Sequence, residues 1–284
     1  MVTLDNSGGL SRAGRGGIER TGEIKWMVRC ASGIKRRKII EFFYDFSEVK
    51  TIDLPDMLRY SARNSKLKKT EKEWSYHYAR IRLWSFNLPA LGACPGAGAC
   101  ASFCYALQGN FVRHGVLEVR ASNYALLWEL HDRGVKSPGR ANHELVSMAI
   151  SRMLDRAEAE TPKGRHPWFR IHDSGDFFAP WYMRAWREAI NRCPHETRAH
   201  AYTKAIPALN DQRGTTPRLY LVLTVGGIYD KRINTDLPHS RVFATHGEMV
   251  AAGDVDGSAT DVPAMLGARK IGLVYHGTEK LEVA

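Results

Sequence analysis

What the chain lacks narrows it first. No run of residues approaches the ~20 consecutive apolar positions that a bilayer-spanning helix needs. The opening stretch, MVTLDNSGGLSRAGRGG, has no apolar core of the kind a secretory signal requires. The expectation is a soluble, cytoplasmic protein with no membrane partner. A disulfide framework is also argued against, because there are only five cysteines in 284 residues, an odd number in a chain without a secretory signal. Acidic residues are in short supply, with 30 Asp and Glu against 41 Lys and Arg, for a formal charge of +11. No internal repeat of about 20 to 50 residues is evident.

What is present is globular material. At 44% hydrophobic and 10% aromatic residues the chain can fill a sizeable core, which excludes disorder throughout. Its charge is uneven: residues 1–80 carry 17 Lys and Arg and 10 Asp and Glu, which is +7 of the +11. A basic balance favours polyanions, and nucleic acid is the first candidate. Residues 1–22, rich in Gly, Arg and Ser, read as a disordered tail. Residues 23–80 read as a basic N-terminal extension, whose runs Lys35–Lys38 and Lys66–Lys69 are expected to be solvated faces. Residues 81–284 form the main domain.

In that domain strands and helices alternate. Leu83–Leu88, Trp168–His172, Arg198–Thr203, Leu219–Val225, Arg241–Thr245 and Ile271–Tyr275 read as strands. Phe111–Arg133, His143–Glu158 and Trp181–Asn191 have helical spacing. In the second helix Leu145, Met148, Ala149 and Met153 are expected to face the core. In the third, Trp181, Met183, Trp186 and Ile190 take that role. Such alternation implies βαβ units and a mostly parallel sheet. The fold class is α/β, a partial (β/α) barrel, with a doubly wound open sheet as the alternative.

The most informative feature is the loop after the first of these strands, Cys94-x5-Cys100-x3-Cys104, in which Gly and Ala predominate. Thiolates are soft ligands that suit zinc or iron–sulfur clusters. Structural zinc wants a fourth ligand, and none is close in sequence. Three cysteines on a [4Fe-4S] cluster leave one iron open to a substrate or second cofactor, and small residues let the backbone wrap a cluster closely. Zinc is the alternative metal. Three later strand ends are polar: His172-Asp173-Ser174-Gly175-Asp176, Tyr202-Thr203-Lys204 and Thr224-Val225-Gly226-Gly227. Parallel strands bring their C-terminal ends to one face, so these turns and the cysteine loop are expected to share a cofactor site. The plainer alternative has Asp173 or Asp176 capping the next helix and Lys204 at the surface.

Three stretches carry a resemblance: Cys94-Pro95-Gly96-Ala97 through Cys104-Tyr105-Ala106, then Arg170 to Phe177, then Tyr202-Thr203-Lys204. Over roughly residues 83–228 the chain resembles the phage gene product 88 family, which is similar to divergent radical S-adenosylmethionine proteins. In that superfamily the usual loop is C-x3-C-x2-C; the spacing here is wider, although Phe103 keeps an aromatic before the last cysteine. The resemblance implies a radical-SAM-type partial barrel, a cluster on Cys94, Cys100 and Cys104, and Ser174-Gly175-Asp176 in the place of the turn that holds the methionine amine. It further implies S-adenosylmethionine cleavage to a deoxyadenosyl radical, with an electron donor as partner. With Thr203 and Lys204 added to the cofactor contacts and the basic extension in mind, the expected substrate is a nucleotide or nucleic acid. The rival reading is a non-enzymatic accessory protein, stabilised by zinc or a cluster, that binds nucleic acid. Cys30 and Cys193 are expected to play no part in the metal site.

Overall fold

The computed structural model describes residues 25–27, 39–43 and 49–53 as backbone, and residues 57–275 apart from 63, 103, 108, 138, 140 and 208–216. The tail expected at residues 1–22 and the run Lys35–Lys38 lie outside the described residues.

Three short strands, β1 (Lys25–Met27), β2 (Ile39–Phe43) and β3 (Val49–Asp53), form a small antiparallel sheet. The main chain path then runs through α1 (Ser65–His77), β4 (Ile81–Phe86), α2 (His114–Val135), α3 (Glu144–Glu160), β5 (His166–Ile171), α4 (Pro180–Arg192), β6 (Arg198–Thr203) and β7 (Leu219–Thr224). It ends with β8 (His239–Phe243), α5 (His246–Ala251), β9 (Val255–Asp256), α6 (Val262–Met265) and β10 (Lys270–Val274). Strands β4 to β10 make a seven-stranded sheet in the order β4-β5-β6-β7-β8-β10-β9, every pair parallel. The sheet is curled into a half-barrel, so the open-sheet alternative gives way to the partial barrel.

Side-chain alternation along the strands sets the two faces. On the outer face Trp84, Phe86, Phe169, Ile171, Ala199 and Ala201 join one core with Val146, Ile150, Leu154, Trp186 and Ile190 of the helices. The small Ala199 and Ala201 leave room for that helical layer. On the inner face Leu83 and Trp168 pack with Leu67 and Trp74 of α1 and Val262 and Met265 of α6, which close the N-terminal end of the half-barrel. Above that plug the inner face turns polar, with Arg170 paired across to His200. The C-terminal strand ends therefore sit over a polar layer and not over an oily floor.

Several boundaries and one face differ from the sequence reading. The first strand starts earlier, at Ile81, and ends at Phe86, because Leu88 already belongs to the turn that packs against Gly175. The third strand from the end is His239–Phe243 and not Arg241–Thr245, because Thr245 instead caps α5 in a reciprocal capping box with Glu248. In α3 the buried stripe is Val146, Ile150, Met153, Leu154 and Ala157. Met148 is exposed, and Leu145 and Ala149 are half-buried. Of the expected face only Met153 is fully buried, because the Val146-Ile150-Leu154 row packs against α4. The α4 face is as expected, with Trp181, Met183, Trp186 and Ile190 all buried. Lys66, read as part of a solvated run, turns inward to Asp261, while Lys68 and Lys69 are exposed.

Candidate functional site

The cysteine loop leaves β4 and is pinned on two sides. Toward β5, Asp176 N donates to Ala93 O at 2.9 Å. Toward β7, Ile228 N donates to Gly96 O and Cys100 N to Gly226 O, both at 3.1 Å, and Ala97 bridges Gly227. These approaches explain the glycines. A Cβ on Gly96 would stand 2.2 Å from Lys204 O, and one on Gly227 would stand 2.6 Å from Gly96 O. No side chain fits between backbones that close.

Pinned this way, Cys94, Cys100 and Cys104 line a single cavity of about 450 Å³ at the C-terminal ends of the strands. Ser174, Gly175, Asp176 and Lys204 line it as well, and Thr203 lies buried behind them. The three thiols are close enough to feel one another. Burial, then the charges of Asp176 and Cys104, push the Cys94 thiol well up. Burial raises Cys104 too, with Cys100 adding to it and Lys204 and Arg120 opposing. Three thiolates could not gather here unaided, and a bound cation is what would hold them deprotonated.

Asp176 does not cap α4, whose N-cap is Ala179 with no side-chain bond. Its Oδ1 accepts from Phe177 N at 2.7 Å and from the Thr203 hydroxyl at 2.6 Å, and its Oδ2 accepts from Lys204 N at 2.8 Å. The carboxylate thus ties the turn after β5 to the end of β6. Lys204 is different: its ammonium opens onto the cavity and makes no ion pair among the described residues. Three further atoms of lining residues lack partners, the Tyr202 hydroxyl, His172 Nδ1 and Arg170 Nε. His172 sits at φ 68, donates or accepts at Nε2 with the Tyr182 hydroxyl at 2.9 Å, and is held neutral by burial, its pKa lowered to about 3.

Below the cavity lies a buried charge network that sequence reading missed. Asp261 meets Arg170 at 3.0 Å and Lys66 at 3.0 Å, and Arg170 also meets Asp173 at 3.1 Å. Trp168 Nε1 donates to His200 Nδ1 at 3.0 Å, which leaves His200 its proton on Nε2, facing Asp261 at 3.5 Å. Burial alone would raise Asp261, but the Arg170 and Lys66 charges, helped by His200, hold its carboxyl well below the usual range. Tyr105, one residue past the last cysteine, donates its hydroxyl to Asp173 O, and Asn64 donates its amide to the Asp173 carboxylate. The one local signal was an arginine inside the apolar run Trp168-Phe169-Arg170-Ile171.

A second donor set lies elsewhere. Asp155, Cys193 and His195 place their ligand atoms within 4.8 Å of one another, with Cys193 buried at the end of α4 and Asp155 exposed. Sequence reading set Cys193 aside because a helix separates it from the loop.

Comparison with known proteins agrees with the resemblance to the gene product 88 family. A family model described as gene product 88 matches residues 58–280. The gene 88 protein of Mycobacterium phage L5 is 36% identical over 132 residues, 45% of this chain and 51% of that protein. The gene 88 protein of Mycobacterium phage D29 is 34% identical over 113 residues, 39% of this chain and 42% of that one. The matched part spans about half the length of these relatives or less. No solved structure matches. No helix among the described residues is long and apolar enough to cross a membrane. With the family model covering most of the half-barrel and the whole cysteine loop, the chain belongs to the gene product 88 family of phage proteins.

Proposed function

We propose that this protein is an iron–sulfur protein of radical S-adenosylmethionine type. Cys94, Cys100 and Cys104 would hold a [4Fe-4S] cluster, and the cavity beside them would hold S-adenosylmethionine. The observation that carries the reading is the convergence of three thiols on one cavity that also presents a cation, Lys204, and an unpartnered hydroxyl, Tyr202. The donor set fits: soft thiolates in a wrap of small residues suit a cluster, and three ligands leave a coordination position open. A cavity of about 450 Å³ lies within the usual range for a cofactor site. When bound, such a cluster supplies an electron to the sulfonium and so gives access to hydrogen-atom abstraction.

The chain's own residues have separable tasks. Lys204 offers a charge-assisted contact to the methionine carboxylate. The Tyr202 hydroxyl and His172 Nδ1 are polar groups awaiting a ligand. Asp176 positions the Ser174-Gly175 turn and the Lys204 backbone, both of its oxygens being engaged by the protein. The buried network of Arg170, Asp173 and Asp261 fixes the cavity floor.

Anaerobic purification with iron and acid-labile sulfide analysis tests this. The expected product is brown, with a broad absorbance band near ~400 nm that alanine at any of the three loop cysteines removes. Calorimetric titration of the loaded protein with S-adenosylmethionine should show binding, weakened by Lys204→Ala with iron content unchanged. A colourless protein loaded with zinc at the loop would overturn the reading in favour of a non-enzymatic accessory protein.

A further inference from the structure

A groove of about 1170 Å³ abuts the cysteine cavity, and Asn64, Phe111 and Asp173 line both. Five arginines line the groove: Arg59, Arg82, Arg113, Arg120 and Arg156. Against them stand two carboxylates. One is Asp173, already held by Arg170, and the other is Glu160, which lies near the Tyr60 hydroxyl. Arg82 lies 3.6 Å from Glu71. The other four arginines form no ion pair with a carboxylate among the described residues.

Arg120 is the informative member. It is 5% exposed, and among the described residues its one hydrogen bond goes to Phe111 O at 3.3 Å. Its guanidinium lies over the Phe111 ring at 4.8 Å, at the seam between groove and cavity. A guanidinium carries five donors, so a buried one with a single carbonyl partner among the described residues, and only the nearby charge of Asp173 to balance it, has donors left for an anion. Tyr60 and Phe111 are half-buried rings on the same walls, each with an arginine over its face, Arg156 at 5.3 Å and Arg120 at 4.8 Å. Arginines interleaved with rings are the composition of a track for unpaired nucleotides, in which the cations follow phosphates and the rings offer stacking.

Size decides between a small anion and a chain. The groove exceeds the roughly 300–1,000 Å³ of small-molecule sites, whereas the inner cavity does not. An unpaired base can leave the groove for such a cavity freely, whereas a duplex base must first be flipped out at a cost of a few kcal/mol. We infer that the groove binds single-stranded nucleic acid and that Arg120 clamps the phosphate of the nucleotide presented to the cysteine cavity. This names the substrate class of the proposed enzyme and rests on that reading only for what happens in the cavity.

The test is fluorescence anisotropy with the full-length protein and labelled single-stranded DNA, single-stranded RNA and duplex DNA of equal length, over a salt series. A single strand is expected to bind at least tenfold tighter than the duplex, and the DNA and RNA arms identify which. Arg59→Ala with Arg113→Ala, both exposed, should weaken single-strand binding about tenfold. It should also reduce the salt slope by about 1.4, at about 0.7 per phosphate contact for single strands. Arg120→Gln should weaken it further. Arg184→Ala with Lys163→Ala, exposed residues outside the groove, should leave it unchanged. No oligonucleotide binding, duplex binding as tight as single-strand binding, or equal loss in the two double variants would each overturn the inference. Iron content is read on the same samples. Iron without oligonucleotide binding refutes the groove alone, and binding without iron refutes the cluster alone.

Discussion

Asp261→Asn removes one charge from the middle of the half-barrel and should be among the most damaging isosteric changes in the chain. The wild-type carboxylate is fully buried and lies within 3.0 Å of both Arg170 and Lys66. Removing one partner of a buried pair typically costs about 3–5 kcal/mol, because the remaining charge is left without compensation. Here Arg170 keeps Asp173 at 3.1 Å and Lys66 keeps Gly257 O at 2.8 Å, so the lower end applies, about 3 kcal/mol. At about 2–4 °C per kcal/mol for a domain of this size, the melting temperature should fall by about 6–12 °C. Urea unfolding at pH 7 and calorimetry measure both. The sign with pH follows from the depressed carboxyl: its stabilisation is complete above the ordinary carboxylate pKa of about 4 and is lost as pH falls through the lower folded value. The gap between wild type and variant should therefore close below about pH 4. A loss under 1 kcal/mol at pH 7, or a gap that widens in acid, would refute the network as described.

Three other outcomes are expected. Gly96→Ala sets a methyl 2.2 Å from Lys204 O, so the cysteine loop must lift from β6; iron loading should fall severalfold while the far-ultraviolet dichroism stays, and full loading would contradict the pinned loop. His172 is held near pKa 3 by burial, so the unfolded chain binds its proton first and stability should rise with pH between about 3 and 6.5. At pH 5 this group should account for about 2 kcal/mol of lost stability relative to pH 7. His172→Asn, which tolerates the φ of 68, should lack that loss, and equal slopes in denaturant titrations of both proteins would count against it. Cys193→Ser should leave loop iron and sulfide unchanged, since Cys193 groups with Asp155 and His195; a drop in sulfide would place it in the loop site after all.

The parallel sheet was legible because its strands are short apolar or alternating segments set between helical stretches. Arg198–Thr203 appears in the structure with the same bounds, and Leu219 begins its strand as expected. Helix α1 was not legible: five lysine and glutamate neighbours mask the Leu67, Thr70 and Trp74 stripe that it buries. The α3 face was misphased because Leu145, Met148 and Ala149 form a second apolar row beside the true one, and only packing against α4 chooses between them. The cysteine loop announced itself through local spacing. The charge network could not, because Arg170 and Asp261 are 91 positions apart and Asp261 comes from a segment with no apolar period. Arg120 was hidden in a helical stretch, where an arginine reads as surface until the structure buries it.

The double pinning of the cysteine loop has a mechanical side. A half-barrel has two free edges, and nothing in its ladder fixes how tightly it curls. The loop that leaves β4 reaches past β5 and β6 to bond with the residues that follow β7, as a tie rod spans an arch from springing to springing. Whatever Cys94, Cys100 and Cys104 hold would then tension that rod, and the radius of the arch would depend on the load. Removing the proposed cluster should loosen strands that never touch it, and the first amides to exchange faster should be those between β6 and β7, beneath the middle of the span.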